Sequence, residues 1–539
     1  METGIENLSD DVTTLKNMVV EQARRIHTIK QDFTTIEQTL TNEVSQLKLQ
    51  LLEAKEKYAA LQRRFFGSSS EKNVKGNPKQ ELLFNEAETF AEPVGTKAPS
   101  VAAAHERKKT GRKPFPATLE RHEIIHELSI EERTCPSCGA LRPEIGDDRS
   151  EELRLIPAQA VVDVHIMKKY GPCPCKACMG TESTPIIQAP GPAKIVPGSR
   201  FSNGTIAFFL TSKFVDAQPF YRMEGILSRW GVDTGRATLC NLAIRAGRAI
   251  GELVLAIKED IKASPVIGMD ETSVQVLHET NRTAQSLSYM WVSRGFRQNK
   301  PLLLFHYHPS HAKDVATGFL SGFSGYLQTD GYAAYNESGK SPGIVHVGCL
   351  AHVRRKFYDA AKIAGNGSMA HAFLTMITEL YQAETLLRER YERGELDGPS
   401  FIAERKKEQG PRLNAMKAWL LFMVGTVPPS LALGTSISYA LGQWDRVVHY
   451  LDHERLTPDN NAVENAIRPF VVGRKNWLFS NTPLGAHASA GLYSLIETAK
   501  ANGHEPYKYL CYLFDELPKA TTLNEKLRLL PYHLNPSSY

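Results

Sequence analysis

The sequence predicts a multidomain α+β protein. Three observations carry that expectation: a regular heptad pattern near the N-terminus, paired cysteines between Cys135 and Cys178, and a run of strand patterns after Pro265 that a long helical block interrupts. At 539 residues the chain exceeds what one hydrophobic core serves, so several domains are expected. Its make-up, 42% hydrophobic and 23% charged, is that of a soluble globular protein. No apolar run approaches the roughly 18 residues of a membrane span, so no membrane partner is expected. The opening "METGIENLSD" lacks the basic and apolar regions of a signal peptide, which predicts a cytoplasmic chain with reduced thiols. A net charge of +5 permits a polyanionic partner without requiring one.

Residues 1–66 read as a coiled coil. Leu8, Val12, Leu15, Val19, Gln22, Ile26, Ile29, Phe33, Ile36 and Leu40 step by alternating four and three, with Gln22 the polar member. Such a seam must be buried against a partner, so the segment is expected to pair protomers into a homodimer or higher oligomer. Val44, Leu47 and Leu51 continue the seam after one extra step of four, a stutter that unwinds the supercoil locally. The helix is expected to fail at Gly67, where "GSSSEKNVKGNPKQ" opens a polar linker over residues 67–104.

A basic segment over 105–134 follows. Its "RKKTGRKP" places Arg107, Lys108, Lys109, Arg112 and Lys113 around one glycine, a pattern suited to DNA phosphates or a minor groove. Residues 135–200 read as a zinc module. Cys135 with Cys138 and Cys175 with Cys178 form two C-x-x-C knuckles, the spacing of a tetrahedral structural Zn²⁺ site, with a strand expected in "AQAVVDVHIMKKY" between them. Cys173 competes with Cys175 for one ligand place; the Cys175 and Cys178 pair keeps the two-residue spacing. Residues 201–262 show three short helical patterns with a turn at "WGVDT", a helix-turn-helix-like arrangement whose last helix is expected from Thr234.

Strand patterns then take over. "PVIGMDETSVQVL", "SYMWVSRGF", "PLLLFHYH" and "GYLQTDGYAAY" make one mixed sheet, with Asp270 and Asp330 at strand ends, 330 − 270 = 60 residues apart. "IVHVGCLAHVRRKF" passes from a strand into a helix bearing His352, Arg354 and Arg355. Helical periodicity fills 359–451, as in Phe373, Ile377, Leu380, Ala383, Leu387 and Tyr391. The sheet domain therefore spans 263–358 and 452–500, with a helical tail at 501–539. In "TPDNNAVENAIRPFVVGRKNW", Thr457 or Asp459 can cap a helix that carries Glu464 and Arg468 on one face. Carboxylates from two strands and a helix, Asp270, Asp330 and Glu464, form a ligand set for two hard divalent cations, Mg²⁺ or Mn²⁺. Arg468, Arg474 and Lys475, with His352, Arg354 and Arg355, supply positive charge for a phosphate backbone. Asn460 and Asn461 are read as turn residues, with orienting metal-bound water or contacting DNA as the alternative.

The motifs "MDETSVQVL", "LQTDGYAAY", "GCLAHVRRKF", "DNNAVENAIRPFVVGRKNWLF" and "SLIETAKANGHEPYKYL" resemble, in order, those of the DDE transposases of insertion-sequence family 66. The upstream "LQRRFFGSSSEK", "GRKP", the knuckles and "KFVDAQPFYRMEGILSRWGV" extend the resemblance over nearly the whole chain. It departs at "GPCPCKAC", with one cysteine beyond a simple pair. The resemblance implies a ribonuclease-H-like α/β catalytic domain with an all-helical insertion, and Asp270, Asp330 and Glu464 as its metal-binding catalytic triad. The activity implied is phosphodiester hydrolysis at terminal inverted repeats followed by 3′-OH strand transfer into target DNA. It also implies double-stranded DNA as partner, helper proteins encoded by the same element, and nucleoid association when DNA-bound. The rival reading is a non-catalytic DNA-binding repressor or inactive remnant; the intact set of three acids argues against it.

Overall fold

The computed structural model describes residues 12–66, 130, 159–170, 187–332, 334–364 and 367–539. The chain divides into two units, Met1–Thr89 with His165–Tyr539, and Phe90–Val164. Of the second unit the described residues are 130 and 159–164. Cys135, Cys138, Cys173, Cys175 and Cys178, the basic residues Arg107, Lys108, Lys109, Arg112 and Lys113, and the linker 67–104 lie outside the described residues.

The heptad segment is one helix, α1 (Val12–Phe66). Its seam residues Val19, Ile26, Ile29, Phe33 and Ile36 are exposed in the single chain. Two short strands follow, β1 (Lys169–Tyr170) and β2 (Ile187–Gln188), paired antiparallel. The strand expected across "AQAVVDVHIMKKY" is thus confined, within 159–170, to its last two residues. Among the described residues its pairing reaches only Lys169↔Gln188 and Tyr170↔Ile187, and Val161, Val162 and Val164 are exposed.

Between β2 and the main sheet run four helices, α2 (Asn203–Phe214), α3 (Phe220–Arg229), α4 (Arg236–Ala249) and α5 (Gly251–Lys262). Ser202 caps α2 by accepting the Thr205 N–H. The turn between α3 and α4 needs a left-handed residue, which Gly231 supplies at φ +77°. The start of α4 falls at Arg236 rather than Thr234, because Gly235 is still extended at φ −80°, ψ 152°. Leu239, Leu242, Ala243 and Ala246 are the buried face of α4.

The main sheet contains β3 (Val266–Val276), β4 (Leu287–Arg297), β5 (Lys300–His308), β6 (Gly325–Gln328), β7 (Ile344–Val347) and β8 (Phe479–Ser480). Helices α6 (Lys313–Phe319) and α7 (Tyr335–Ser338) lie between its strands in sequence. The order is β5-β4-β3-β6-β7, with β8 also pairing β3. Strands β3, β4 and β5 run antiparallel as a meander, whereas β3, β6 and β7 are parallel. Residues 266–270 of β3 are buried without alternation, as befits a central strand covered on both faces.

After β7 come α8 (Leu350–Ala364), α9 (Met369–Glu392), α10 (Gly398–Val424) and α11 (Ala432–Val447), packed around Phe357, Phe373, Ile377, Leu420 and Trp444. The chain then returns to the sheet as α12 (Asn461–Trp477), followed by α13 (Pro483–Ala501), α14 (Pro506–Glu516) and α15 (Leu523–Leu527). Helix α13 covers the open edge of β5. Its Thr498 and Ser494 hydroxyls accept the Leu303 and Phe305 N–H groups at 3.0 and 2.8 Å, which closes that edge to further strands. Phe214 of α2, Trp291 and Phe305 of the sheet, Phe470 of α12, Tyr493 of α13 and Leu513 of α14 belong to one core. The segments 201–262 and 501–539, read from sequence as separate parts, share that core with the sheet. Among the described residues, no helix is long and apolar enough to cross a membrane.

Candidate active site

Strand pairing brings the two aspartates together. Gly268 pairs with Gln328 in the parallel β3–β6 ladder, and Asp270 and Asp330 each follow two residues later. Asp270 is not at a strand end, as the sequence led us to expect, but the fifth residue of an eleven-residue strand. Strand β3 continues because β4 and β8 go on pairing it, as in Gln275↔Leu287 and Gln275↔Phe479, after β6 has stopped at Gln328. The opening therefore forms on the β6 side. Past β6, Asp330 Oδ1 accepts the Tyr332 N–H at 2.9 Å, an Asx-type turn.

Glu464 reaches this place on the first turn of α12, where the helix dipole favours a carboxylate. Three contacts hold the start of that helix on the sheet. Gln328 Nε2 donates to the Thr457 carbonyl at 2.6 Å, Asn460 Nδ2 donates to the Met269 carbonyl at 3.0 Å, and Val463 packs on Gly268. A Cβ at Gly268 would come within 2.5 Å of Val463 Cγ2, so only glycine permits this approach. Asp459 Oδ1 accepts the Asn461 N–H at 3.0 Å and its Oδ2 accepts the Tyr381 hydroxyl at 2.8 Å, but the N-cap is Asn460 rather than Thr457 or Asp459, with Asp459 one residue before it. Asn460 is more than a turn residue: it is 2% exposed and ties the helix to β3 next to Asp270.

Burial drives the Asp270 carboxyl well above its usual range, and the charges of Glu271, Glu464 and Asp330 push it the same way. Its Oδ1 accepts the Glu271 N–H at 2.8 Å, while its buried Oδ2 has no hydrogen-bond partner. A buried, unsatisfied carboxylate oxygen amid other acids fits a hard divalent cation, which takes oxygen ligands and cancels that repulsion. Asp270, Asp330 and Glu464 would hold it. They are not a compact single-ion cage: among the described residues, the trio of ligand atoms lying within 4.8 Å of one another is Cys349, His352 and Glu464. Two cations about 3.5–4 Å apart span a wider set.

Glu271 is the acid that sequence reasoning passed over. Adjacency to Asp270 was its only signal, and the strand alternation sends it to the other face. Its Oε1 pairs with His311 Nε2 at 2.9 Å and its Oε2 accepts the Tyr335 hydroxyl. His311 Nδ1 meets the Tyr332 hydroxyl at 2.9 Å, and the ring is stacked between Tyr289 and Tyr332 with centroids at 4.1 and 4.5 Å. Since the Tyr332 amide also holds Asp330, this network joins the surroundings of both aspartates.

The basic residues separate by burial. Lys475 is exposed, while His352, Arg354, Arg355 and Arg468 are half-buried. Arg474, expected on a phosphate track, is instead 6% exposed and donates to Thr272 Oγ1 at 3.2 Å and Ser273 Oγ at 3.3 Å. It faces β3 because the apolar stripe of α12, Val463, Ile467, Phe470 and Val471, turns that side of the helix to the core. Burial lowers its pKa to about 10. His352 Nδ1 lies 3.9 Å from Glu464 Oε1, yet burial, with Arg355 and Lys356 nearby, lowers the imidazole to about 4. The contact therefore pairs a neutral ring with the acid at neutral pH. Cys349 is 4% exposed; burial, then Glu464 and Asp459, raises its thiol well above the usual value.

Family comparisons divide the chain in sequence order. Residues 53–124 match "Transposase C of IS166 homeodomain", residues 132–182 "zinc-finger binding domain of transposase IS66", residues 198–488 "Transposase IS66 family", and residues 494–532 "IS66 C-terminal element". The cysteines Cys135, Cys138, Cys173, Cys175 and Cys178 all fall in the second match. Among curated relatives, "Uncharacterized protein y4qI" of Sinorhizobium fredii is 28% identical over 558 aligned residues, covering 99% of each chain. "Uncharacterized protein y4jD" of the same organism is 28% identical, covering 92% of this chain and 97% of its own. With residues 198–488 carrying all three acids of the site, the chain belongs to the IS66 family of transposases.

Proposed function

We propose that the protein is a catalytically active DNA transposase. It binds the terminal inverted repeats of its element, hydrolyses a phosphodiester at the element's end, and directs the freed 3′-hydroxyl at target DNA. One observation carries the reading: Asp270, Asp330 and Glu464 arrive from β3, the end of β6 and the first turn of α12, close enough that Glu464 and Asp330 raise the Asp270 pKa. The sheet order, a three-stranded antiparallel meander flanked by two parallel strands, supports a ribonuclease-H-like fold. The helical block between β7 and α12 corresponds to an insertion within it. When bound, Mg²⁺ or Mn²⁺ supplies activation of the attacking oxygen and stabilisation of the leaving one.

The protein's own residues do the rest. Asp270, Asp330 and Glu464 hold the cations, the Asn460 amide and Gly268 hold Glu464 against β3, and Lys475 offers charge to the DNA backbone. Cys135, Cys138, Cys175 and Cys178 form a structural Zn²⁺ site. The exposed seam of α1 supports a coiled coil that joins two protomers, as synapsis of two DNA ends requires.

The test is cleavage and strand transfer on a labelled element-end duplex with Mg²⁺ or Mn²⁺, comparing wild type with Glu464→Gln and recording binding in the same reactions. Wild type is expected to cut and join, and the variant to bind without cutting. Equal cutting by both removes Glu464 from the mechanism.

A further inference from the structure

Beside the carboxylates stands a second set of ligating atoms with different chemistry. One sulfur, one imidazole nitrogen and one carboxylate oxygen, from Cys349, His352 and Glu464, lie within 4.8 Å of one another. Cys349 ends the loop after β7, and the C-x-x-H spacing puts His352 on the first turn of α8. The Asn460 N–H donates to the sulfur at 3.3 Å. His352 Nδ1 is buried without a hydrogen-bond partner and lies 3.9 Å from Glu464 Oε1.

A hard cation would ignore such a set, since Mg²⁺ and Ca²⁺ take oxygen. Sulfur and imidazole with one carboxylate suit a borderline-soft ion, and three protein ligands leave a fourth position open. We propose that Cys349, His352 and Glu464 form a binding site for a zinc-class divalent cation, separate from Asp270 and Asp330 but sharing Glu464 with them. Binding replaces the Cys349 thiol proton, which leaves to solvent, and changes no oxidation state. A zinc-class ion here competes with the carboxylate site for Glu464 and opposes Mg²⁺-supported cutting. That consequence rests on the transposase reading; the binding site does not.

The full-length chain loaded with ¹¹³Cd²⁺ tests the site by cadmium NMR. The expected result is a resonance between the all-oxygen and all-sulfur regions, lost in both Cys349→Ser and His352→Gln and kept in Cys240→Ser. Thermal unfolding of each variant identifies any that fails to fold, and His352→Gln decides if Cys349→Ser is one. Absence of the mixed-ligand resonance in wild type, or its persistence in folded Cys349→Ser and His352→Gln, overturns the proposal. Zn²⁺ titration of Mg²⁺-supported cleavage then tests the sharing. Each protein is compared with its own zinc-free rate, and the inhibition midpoint is expected to rise about tenfold or more in Cys349→Ser. An unchanged midpoint refutes the sharing of Glu464. A chain that gives the mixed resonance but never cuts DNA keeps this site and loses the transposase reading.

Discussion

Asp270, within β3, and Asp330, just past the end of β6, each lie two residues beyond the last pair of the parallel ladder, Gly268↔Gln328. Paired strands lie about 4.8 Å apart, so the last pair of this ladder starts the two acids close together where β6 ends and β3 runs on.

Their mutual repulsion has a measurable pH signature. The folded-state pKa of Asp270 is raised above its ordinary value of 3.8, first by burial and then by Glu271, Glu464 and Asp330. Protonation of Asp270 therefore stabilises the fold, and that contribution is lost as pH rises through the raised value. In metal-free protein Asp270→Asn is expected to melt higher than wild type at neutral pH. The difference should shrink toward zero as pH falls into the ordinary carboxylate range. Thermal unfolding of both proteins across pH checks this, and Mn²⁺ is expected to raise the melting temperature of wild type more than that of the variant.

Gly268→Ala tests the contact that seats α12. The added Cβ meets Val463 Cγ2 at 2.5 Å and Asn460 Oδ1 at 3.3 Å, so the helix start must move off β3. Overpacking of this kind costs about 1–3 kcal/mol, readable by denaturant unfolding. Metal-dependent cleavage is expected to fall while binding to the element end is retained, because the displaced residue is Glu464 rather than an exposed base.

Arg474 and Lys475 are sequence neighbours with opposite expected roles. Removing the buried Arg474 strands Thr272 and Ser273, so Arg474→Ala should lower stability by about 1–3 kcal/mol. Lys475 is exposed. Lys475→Ala should leave stability nearly unchanged and reduce the slope of log binding constant against log salt by about 1, one phosphate contact. A salt slope altered by Arg474→Ala alone would reverse these assignments.

The helical block braces the segment that leads into α12. Arg405 is fully buried; its guanidinium donates to Glu384 at 2.6 Å and to the carbonyls of Tyr450, His453 and Leu456 at 2.7, 3.0 and 3.1 Å. Arg405→Met leaves those carbonyls and Glu384 short of a donor, at a cost of about 3–5 kcal/mol. Chemical denaturation should show that loss, and Arg405→Lys should not restore it, since one ammonium lacks the planar fork that reaches four acceptors.

Much of the architecture is legible in local pattern. The 3–4 stepping from Leu8 to Leu40 specifies a long helix, and α1 runs unbroken from Val12 to Phe66. Apolar runs mark β3, β4 and β5, and the period of Phe373, Ile377 and Leu380 marks α9. Periodicity reports which residues share a face. It does not report what that face meets, so pattern alone makes Arg474 a surface cation and Asp270 a strand end.

The sequence by itself determined the elements, the order of motifs and the identity of the acids at Asp270, Asp330 and Glu464, because residue type and spacing act within a few residues of chain. Only the tertiary structure decided who their neighbours are. Glu271 finds His311 forty positions away, Asn460 finds Met269, and Cys349 and His352 find Glu464 across the whole helical block. Those meetings follow from strand register and from the close approach at Gly268, both products of long-range packing that no local window contains.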